Sequence, residues 1–216
     1  IYDRANSAAS HMTIEDVDWN YLLDTRILHL TGITAALSDN CYELLAEAIQ
    51  RAKSSGVLVS FDVNYRAKLW SASTAGEKLR PLIEQADLLL CKGADASSLF
   101  GCKGEPRQLM NELKALTHAK AIFCTFGDQG AALLSGDQFM SQPAVPVQII
   151  DRIGSGDAFA AGVLDGLLTG GVTLSNINVL ADGLRRGVTL AAIALSQFGD
   201  RVLSSRAELN AALKSD

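Results

Sequence analysis

Four β-rich runs separated by three stretches of helical periodicity fill the chain from residue 27 to residue 125, and this alternation restricts the fold more than any other feature. Ile27 to Thr31, Val57 to Phe61, Leu88 to Cys91 and Ala121 to Thr125 each read as short, buried strands. After the first of them, Leu44, Leu45, Ala48, Ile49 and Ala52 recur at the spacing of one helix face. Ser38 stands where an N-cap belongs and Gly56 follows the end. Thr74 to Gln85 and the stretch around Glu105 to Leu116 supply the other two helices. Strands that alternate with helices pair most readily as parallel neighbours, so the expectation is an α/β fold with a mostly parallel central sheet flanked by helices.

Beyond Thr125 the pattern changes. Ala131 to Leu134, Gln138 to Ser141 and Val147 to Ile150 read as three short strands with turn residues between them, as in a meander. From Ser155 the chain reads as nearly all helix: Phe159, Val163 and Leu167 line one face, Gly170 and Gly171 end that helix, and Leu174 to Phe198 is rich in Ala and Leu.

Composition removes several classes of function. With 216 residues, 48% hydrophobic and 20% charged, the chain can bury roughly 70% of its unfolded surface, and one globular domain over residues 1–216 is expected. A net charge of -5 gives no reason to expect nucleic acid or an anionic membrane as partner. No apolar run approaches the ~20 residues of a membrane span, and no signal-peptide pattern opens the sequence. Cys41, Cys91, Cys102 and Cys124 have no metal-site spacing and suit reduced, core-forming thiols in a cytoplasm. His11, His29 and His118 form no metal spacing either.

The chemistry concentrates between Asp151 and Gly162, in D-R-I-G-S-G-D-A-F-A-A-G. Two glycines and an acid sit where a strand-like run hands over to a helix N-terminus. The first helical amides have no internal partners and the aligned peptide dipoles add partial positive charge, so such a corner binds anions without basic side chains. Asp157 then stands beside the anion, where it can accept a proton from an attacking hydroxyl. A Gly-x-Gly here is also compatible with plain turn chemistry. Phe159 at the third glycine position spoils a dinucleotide fingerprint, and no G-x-x-x-x-G-K-[ST] occurs.

The segment resembles the D-T-x-G-A-G-D signature of the ribokinase-like (PfkB) carbohydrate kinases, with Arg152 in place of Thr and Ser155 in place of Ala. The resemblance implies a ribokinase-like, Rossmann-like three-layer fold that uses ATP and magnesium. It makes Asp157 the catalytic base and Gly154, Ser155 and Gly156 the anion hole for the transferring phosphoryl group. Two further segments sharpen it: Y-D-R near the chain start and D-V-N-Y-R-A-K-L-W from Asp62. These are similar to the 2-keto-3-deoxygluconate kinases of the same family. Tyr2, Arg4 and Arg66 would hold the sugar acid, with Asn64 and Arg66 near the nucleotide phosphates; a guanidinium can grip a carboxylate or phosphate bidentately. Read without the family, Asp62 to Arg66 is a polar strand exit, expected to be extended with Asp62, Asn64 and Arg66 on one face.

C-K-G-A-D resembles the family's N-x-x-E segment, which helps position magnesium; Lys92 replaces the Asn, and Asp95, the indirect metal contact, the Glu. Asp95 also suits the first turn of a helix. Thr125, Gly127 and Gly130 resemble the T-x-G-x-x-G turn that contacts ATP, and L-A-A-I-A-L, near the end, resembles the helix that walls the adenine pocket, with Val188 where that subgroup often has Asn. Ile1 is not a start residue, and the resemblance implies that the family's first strands and its β lid are missing from this chain. The expected function is thus ATP-dependent phosphorylation of a sugar acid, most of all 2-keto-3-deoxygluconate, to its 6-phosphate. Two alternatives stay open: a kinase for another sugar or deoxy-keto acid, and a truncated, catalytically silent nucleotide-binding relative. Expected partners are the small sugar acid and ATP, with a homo-oligomer allowed.

Overall fold

The computed structural model of the protein describes residues 7–214. Six strands, β1 (Ile27–Thr31), β2 (Leu58–Asp62), β3 (Leu88–Lys92), β4 (Ala121–Thr125), β5 (Ala131–Ser135) and β6 (Gln138–Gln142), form one sheet in the order β1-β2-β3-β4-β5-β6. β1 and β2 are parallel with Ile27 opposite Leu58, and β2 and β3 are parallel with Ser60 opposite Leu88. β5 and β6 are antiparallel, with Ala131 opposite Gln142 and Ser135 opposite Gln138. The helices are α1 (Trp19–Leu23), α2 (Gly32–Ala35), α3 (Asp39–Ser54), α4 (Ala72–Glu84), α5 (Gly93–Phe100), α6 (Pro106–Lys114), α7 (Ser155–Thr169), α8 (Ile177–Leu195) and α9 (Arg206–Ala212). The α/β architecture, a sheet flanked by helices, is as expected, and the antiparallel β5–β6 pair makes the sheet mixed. Among the described residues no helix is long and apolar enough to cross a membrane.

The chain divides into two compact units, Ile1–Ile122 and Phe123–Asp216. In the first, α3 begins where the Ser38 hydroxyl accepts from the Cys41 N–H at 3.1 Å. Its apolar stripe, Leu44, Leu45, Ala48, Ile49 and Ala52, is buried. Gly56 follows in the left-handed conformation, at φ 72°. Helix α4 starts two residues before Thr74, because the Ser71 hydroxyl accepts from the Thr74 N–H and so caps the helix itself. Val59, Ser60 and Phe61 of β2 and Leu88 to Cys91 of β3 are buried without alternation, the pattern of strands covered on both faces. Asp87 ties the two strands together, its carboxylate accepting from the Val59 N–H at 3.0 Å.

In the second unit β5 and β6 form the expected hairpin, but Val147 to Ile150 is not a strand. Pro143 and Pro146 leave the approach without two ladder donors, and the Ile150 N–H is taken by the Leu195 carbonyl at 2.8 Å. Ile149 and Ile150 accordingly stand exposed. Helix α7 buries Phe159, Val163 and Leu167 as expected, and α8 runs three residues shorter at each end than the Ala- and Leu-rich stretch suggested. The backbones of α7 and α8 meet through glycines. A Cβ on Gly162 would lie 2.5 Å from the Arg186 carbonyl oxygen, and one on Gly166 2.5 Å from Gly183 Cα. Around this joint Arg186 bridges Asp165, Asp182 and Asn210, while Arg206 also reaches Asp165. All four cysteines of the chain are buried.

Candidate active site

The Asp151–Gly162 segment opens α7 as its sequence implies, but an irregular segment, not a strand, leads into it. Gly154 precedes α7 at φ 77°, a conformation that an L side chain adopts only at a cost. A Cβ there would also stand 2.8 Å from the Asp200 carbonyl oxygen and 2.9 Å from Asp200 Cα. Gly154 is therefore glycine for the fold. Gly156 is different: a Cβ at that position would meet no heavy atom within 4 Å among the described residues. Nothing in the packing there calls for a glycine, and the first turn is open to solvent at that point. The Ala158 N–H closes the first helical bond on the Gly154 carbonyl, so the amides before it point out of the helix end without intrahelical partners.

Asp151 braces this loop from behind. Its carboxylate accepts from the Ile153 N–H at 3.0 Å and the Gly199 N–H at 3.2 Å, and these two bonds hold it below the usual carboxylate range. The Ser155 hydroxyl donates to the Arg152 carbonyl, while the Arg152 side chain lies exposed. Asp157 sits on the first turn of α7, exposed to solvent. Corner, brace and acid together can hold an oxyanion and take up a proton.

In the same unit, Thr125 ends β4, and Gly127 and Gly130 follow at φ 64° and 92°. Only Gly130 is packed: a Cβ on it would press on the backbone of Pro143 and Ala144 at 2.6 Å, whereas one on Gly127 would meet nothing within 4 Å among the described residues. Val188, at 6% exposure, faces the core of the unit.

In the first unit the expected extended run from Asp62 to Arg66 is broken. β2 stops at Asp62, whose carboxylate accepts from the Asn64 N–H at 3.1 Å, and Asn64 turns to φ 39°. This side-chain turn competes with the extended backbone, so the three side chains do not share one strand face. The Asn64 amide donates instead to the Thr31 hydroxyl at 3.0 Å. Arg66 donates to the neighbouring Tyr65 carbonyl and lies close to Asp95, on the first turn of α5. Burial pushes Asp95 above the usual carboxylate range, against the opposing pull of Lys92, the Tyr65 N–H and Arg66. One of its oxygens, Oδ2, is buried with no hydrogen-bond partner. Tyr2 and Arg4 lie outside the described residues.

The sequence signals missed three features here: the desolvation of Asp95, the gathering of Lys92 and Arg66 around it, and Thr31 as the anchor of Asn64. None leaves a local mark, since each depends on which loops meet beyond the ends of β1, β2 and β3. Magnesium is hard and takes about six oxygen ligands. Asp95 supplies a single carboxylate on which Lys92 and Arg66 act, and no cluster of three His, Cys, Asp or Glu side chains occurs among the described residues. These side chains do not fit a protein-held divalent ion.

Residues 1–206 match the model of the pfkB family carbohydrate kinases, and the chain belongs to that family. It is 29% identical over 214 residues to the 2-dehydro-3-deoxygalactonokinase of Haloferax volcanii, covering 99% of this chain and 65% of that one. It is 30% identical over 202 residues to the 2-dehydro-3-deoxygluconokinase of Bacillus subtilis, covering 92% of this chain and 59% of that one. Among solved structures, the 2-dehydro-3-deoxygluconokinase of Thermotoga maritima superposes with a TM-score of 0.88 at 27% identity, over 99% of this chain and 68% of that one. The chain thus spans less than two thirds of the length of the first two relatives.

Proposed function

We propose that this chain acts as an ATP-dependent kinase of a 2-keto-3-deoxy sugar acid, 2-keto-3-deoxygluconate first, giving the 6-phosphate. The observation that carries the reading is the exposed first turn of α7, which brings Asp157 and amides without intrahelical partners to one helix end. The primary hydroxyl of the acid attacks the γ-phosphorus of ATP, forming the new O–P bond as the bond to the bridging oxygen of ADP breaks. Its proton passes to the Asp157 carboxylate. The Gly154 to Gly156 loop offsets the charge gathering on the transferring group, and the helix dipole adds to that effect. Tyr2, Arg4 and Arg66 would hold the acid, and Asn64, Arg66, Thr125, Gly127, Gly130, Gly154 and Gly156 would serve the nucleotide, as the family resemblance implies. Magnesium would come with the nucleotide, as the counter-ion of its phosphates, and not through ligands on this chain.

The names of the relatives support the acid class but divide over its stereochemistry, one galactonic and one gluconic, epimers at C4. ADP release with 2-keto-3-deoxygluconate, its galacto epimer, fructose and ribose separates these substrates. Turnover confined to the keto-deoxy acids, with a loss of about 10²-fold or more in Asp157→Asn, is the expected result. ADP release equal in wild type and variant refutes the assignment of the base. A folded wild type that binds ATP and turns over none of the four sugars refutes the kinase reading.

A further inference from the structure

Asn64 is gripped twice, by one pair of facing strand residues. Thr31, the last residue of β1, stands opposite Asp62, the last of β2. The Asp62 carboxylate accepts from the Asn64 backbone N–H at 3.1 Å, and the Thr31 hydroxyl oxygen accepts from the Asn64 side-chain amide at 3.0 Å. The backbone on either side brings these groups together. A Cβ on Gly32 would lie 2.3 Å from the Val63 carbonyl oxygen, so only a glycine lets the turn after β1 close on the residue before Asn64. Val63 is itself fully buried and donates its N–H to the Leu90 carbonyl at 3.0 Å.

Core packing does not require this grip. Thr31 and Asn64 are both partly exposed, so water could satisfy the amide in place of the hydroxyl. Asn64 is nonetheless kept at φ 39°, a conformation that a non-glycine residue seldom adopts. An asparagine amide carries two N–H donors in one plane. One is committed to Thr31, which fixes that plane and so aims the other, for which no partner occurs among the described residues. The outcome is a donor of set direction beyond the carboxyl ends of β1 and β2, the side of an α/β sheet where ligands bind.

Resting on the kinase reading above, we infer that Thr31 is a positioning residue, which holds the Asn64 amide so that its second N–H meets the nucleotide phosphate oxygens. The cost of ordering that side chain is then met on folding instead of on binding. Removing the Thr31 hydroxyl weakens the nucleotide and leaves the fold and the sugar acid nearly untouched.

The test is calorimetric titration with ATP in excess magnesium for wild type, Thr31→Val, Thr31→Ser, Asn64→Gly and the Thr31→Val/Asn64→Gly double variant. Thr31→Val removes the hydroxyl and keeps the branched shape, whereas Asn64→Gly removes the amide and tolerates φ 39°. Thr31→Val should weaken ATP about three- to tenfold, the range of one neutral hydrogen bond, and Thr31→Ser should restore most of the affinity. In the Asn64→Gly background Thr31→Val should cost nothing further, because the residue it acts through is gone. Melting temperatures of wild type, Thr31→Val and Thr31→Ser should agree within about 3 °C, and in steady-state ADP release the loss should fall on KM for ATP and not on that for the acid. Wild-type ATP affinity in Thr31→Val, or a loss that adds in full to that of Asn64→Gly, overturns the inference and leaves the kinase reading standing. Absence of ATP binding by folded wild type overturns both.

Discussion

Two glycines two residues apart should respond to the same substitution in opposite directions. Gly154→Ala puts a side chain at φ 77°, where an L-residue costs roughly 1–2 kcal/mol. Its Cβ would also sit 2.8–2.9 Å from backbone atoms of Asp200, which must move, adding about 1 kcal/mol or more for overpacking. The sum is a destabilisation of roughly 2–4 kcal/mol. Gly156→Ala meets no heavy atom within 4 Å among the described residues and lies inside α7. It gains helix propensity of at most about 1 kcal/mol, and about 0.5 kcal/mol so near the helix end. The variants should therefore differ by about 3 kcal/mol in urea unfolding followed by far-ultraviolet circular dichroism. That probe is required because both tryptophans, Trp19 and Trp70, lie in the first unit and report poorly on α7. The stabilised variant should nonetheless lose function: a methyl group over the loop keeps phosphate oxygens from hydrogen-bond distance of its amides, and phosphoryl transfer should fall by about 10²-fold. A Gly156→Ala protein that is more stable and fully active would refute the reading of the open space as the anion hole. One as unstable as Gly154→Ala would refute the packing argument.

Three further outcomes are expected. Arg186→Met should cost about 2 kcal/mol, because the guanidinium is 11% exposed and bridges two carboxylates. Arg206→Ala, at a side chain 70% exposed, should cost at most about 1 kcal/mol, and equal losses in denaturant titrations would contradict the burial argument. Asp95→Asn should raise the melting temperature near pH 7 and leave it unchanged near pH 3. Burial raises this carboxyl above its ordinary 3.8, so the stability its neutral form contributes is complete below that value and is lost as pH rises through the raised one; a pH-independent difference would refute this. Val172→Gly should be neutral or stabilising, since a β-branched residue at φ 57° is strained, and a clear loss of melting temperature would show that its packing outweighs the strain.

Where one residue's chemistry decides the local structure, the sequence was readable in detail. Ser38 capped α3 and Gly56 closed it because each acts on its immediate neighbours. The turn from Gly154 to Asp157 is readable for the same reason, since left-handed glycine and helix N-terminus are consecutive, although no strand leads into it. Errors arose where distant groups competed for the same backbone. Val147 to Ile150 has strand-like residues, but Leu195 claims the Ile150 N–H from far along the chain. The run from Asp62 looked extended until the Asp62 side chain bonded the Asn64 backbone and Thr31, from another strand, captured the Asn64 amide. Asp95 reads as a helix-terminal acid, which it is, yet it is also desolvated, and the distant Tyr65 N–H bonds to its carboxylate.

The glycine joint between α7 and α8 acts as a fulcrum. Gly162 lies seven residues from Ser155, so the lever arm from joint to loop is about 10 Å. A tilt of roughly 5° at the joint would swing the loop by just under 1 Å, a displacement that can cost about 10²-fold in rate when reacting groups must be aligned. Side chains between the helices would give that joint compliance; bare backbone against backbone gives it almost none. On the proposed kinase reading, the aim of the loop before α7 is thus fixed two helical turns away, at a joint outside the loop itself.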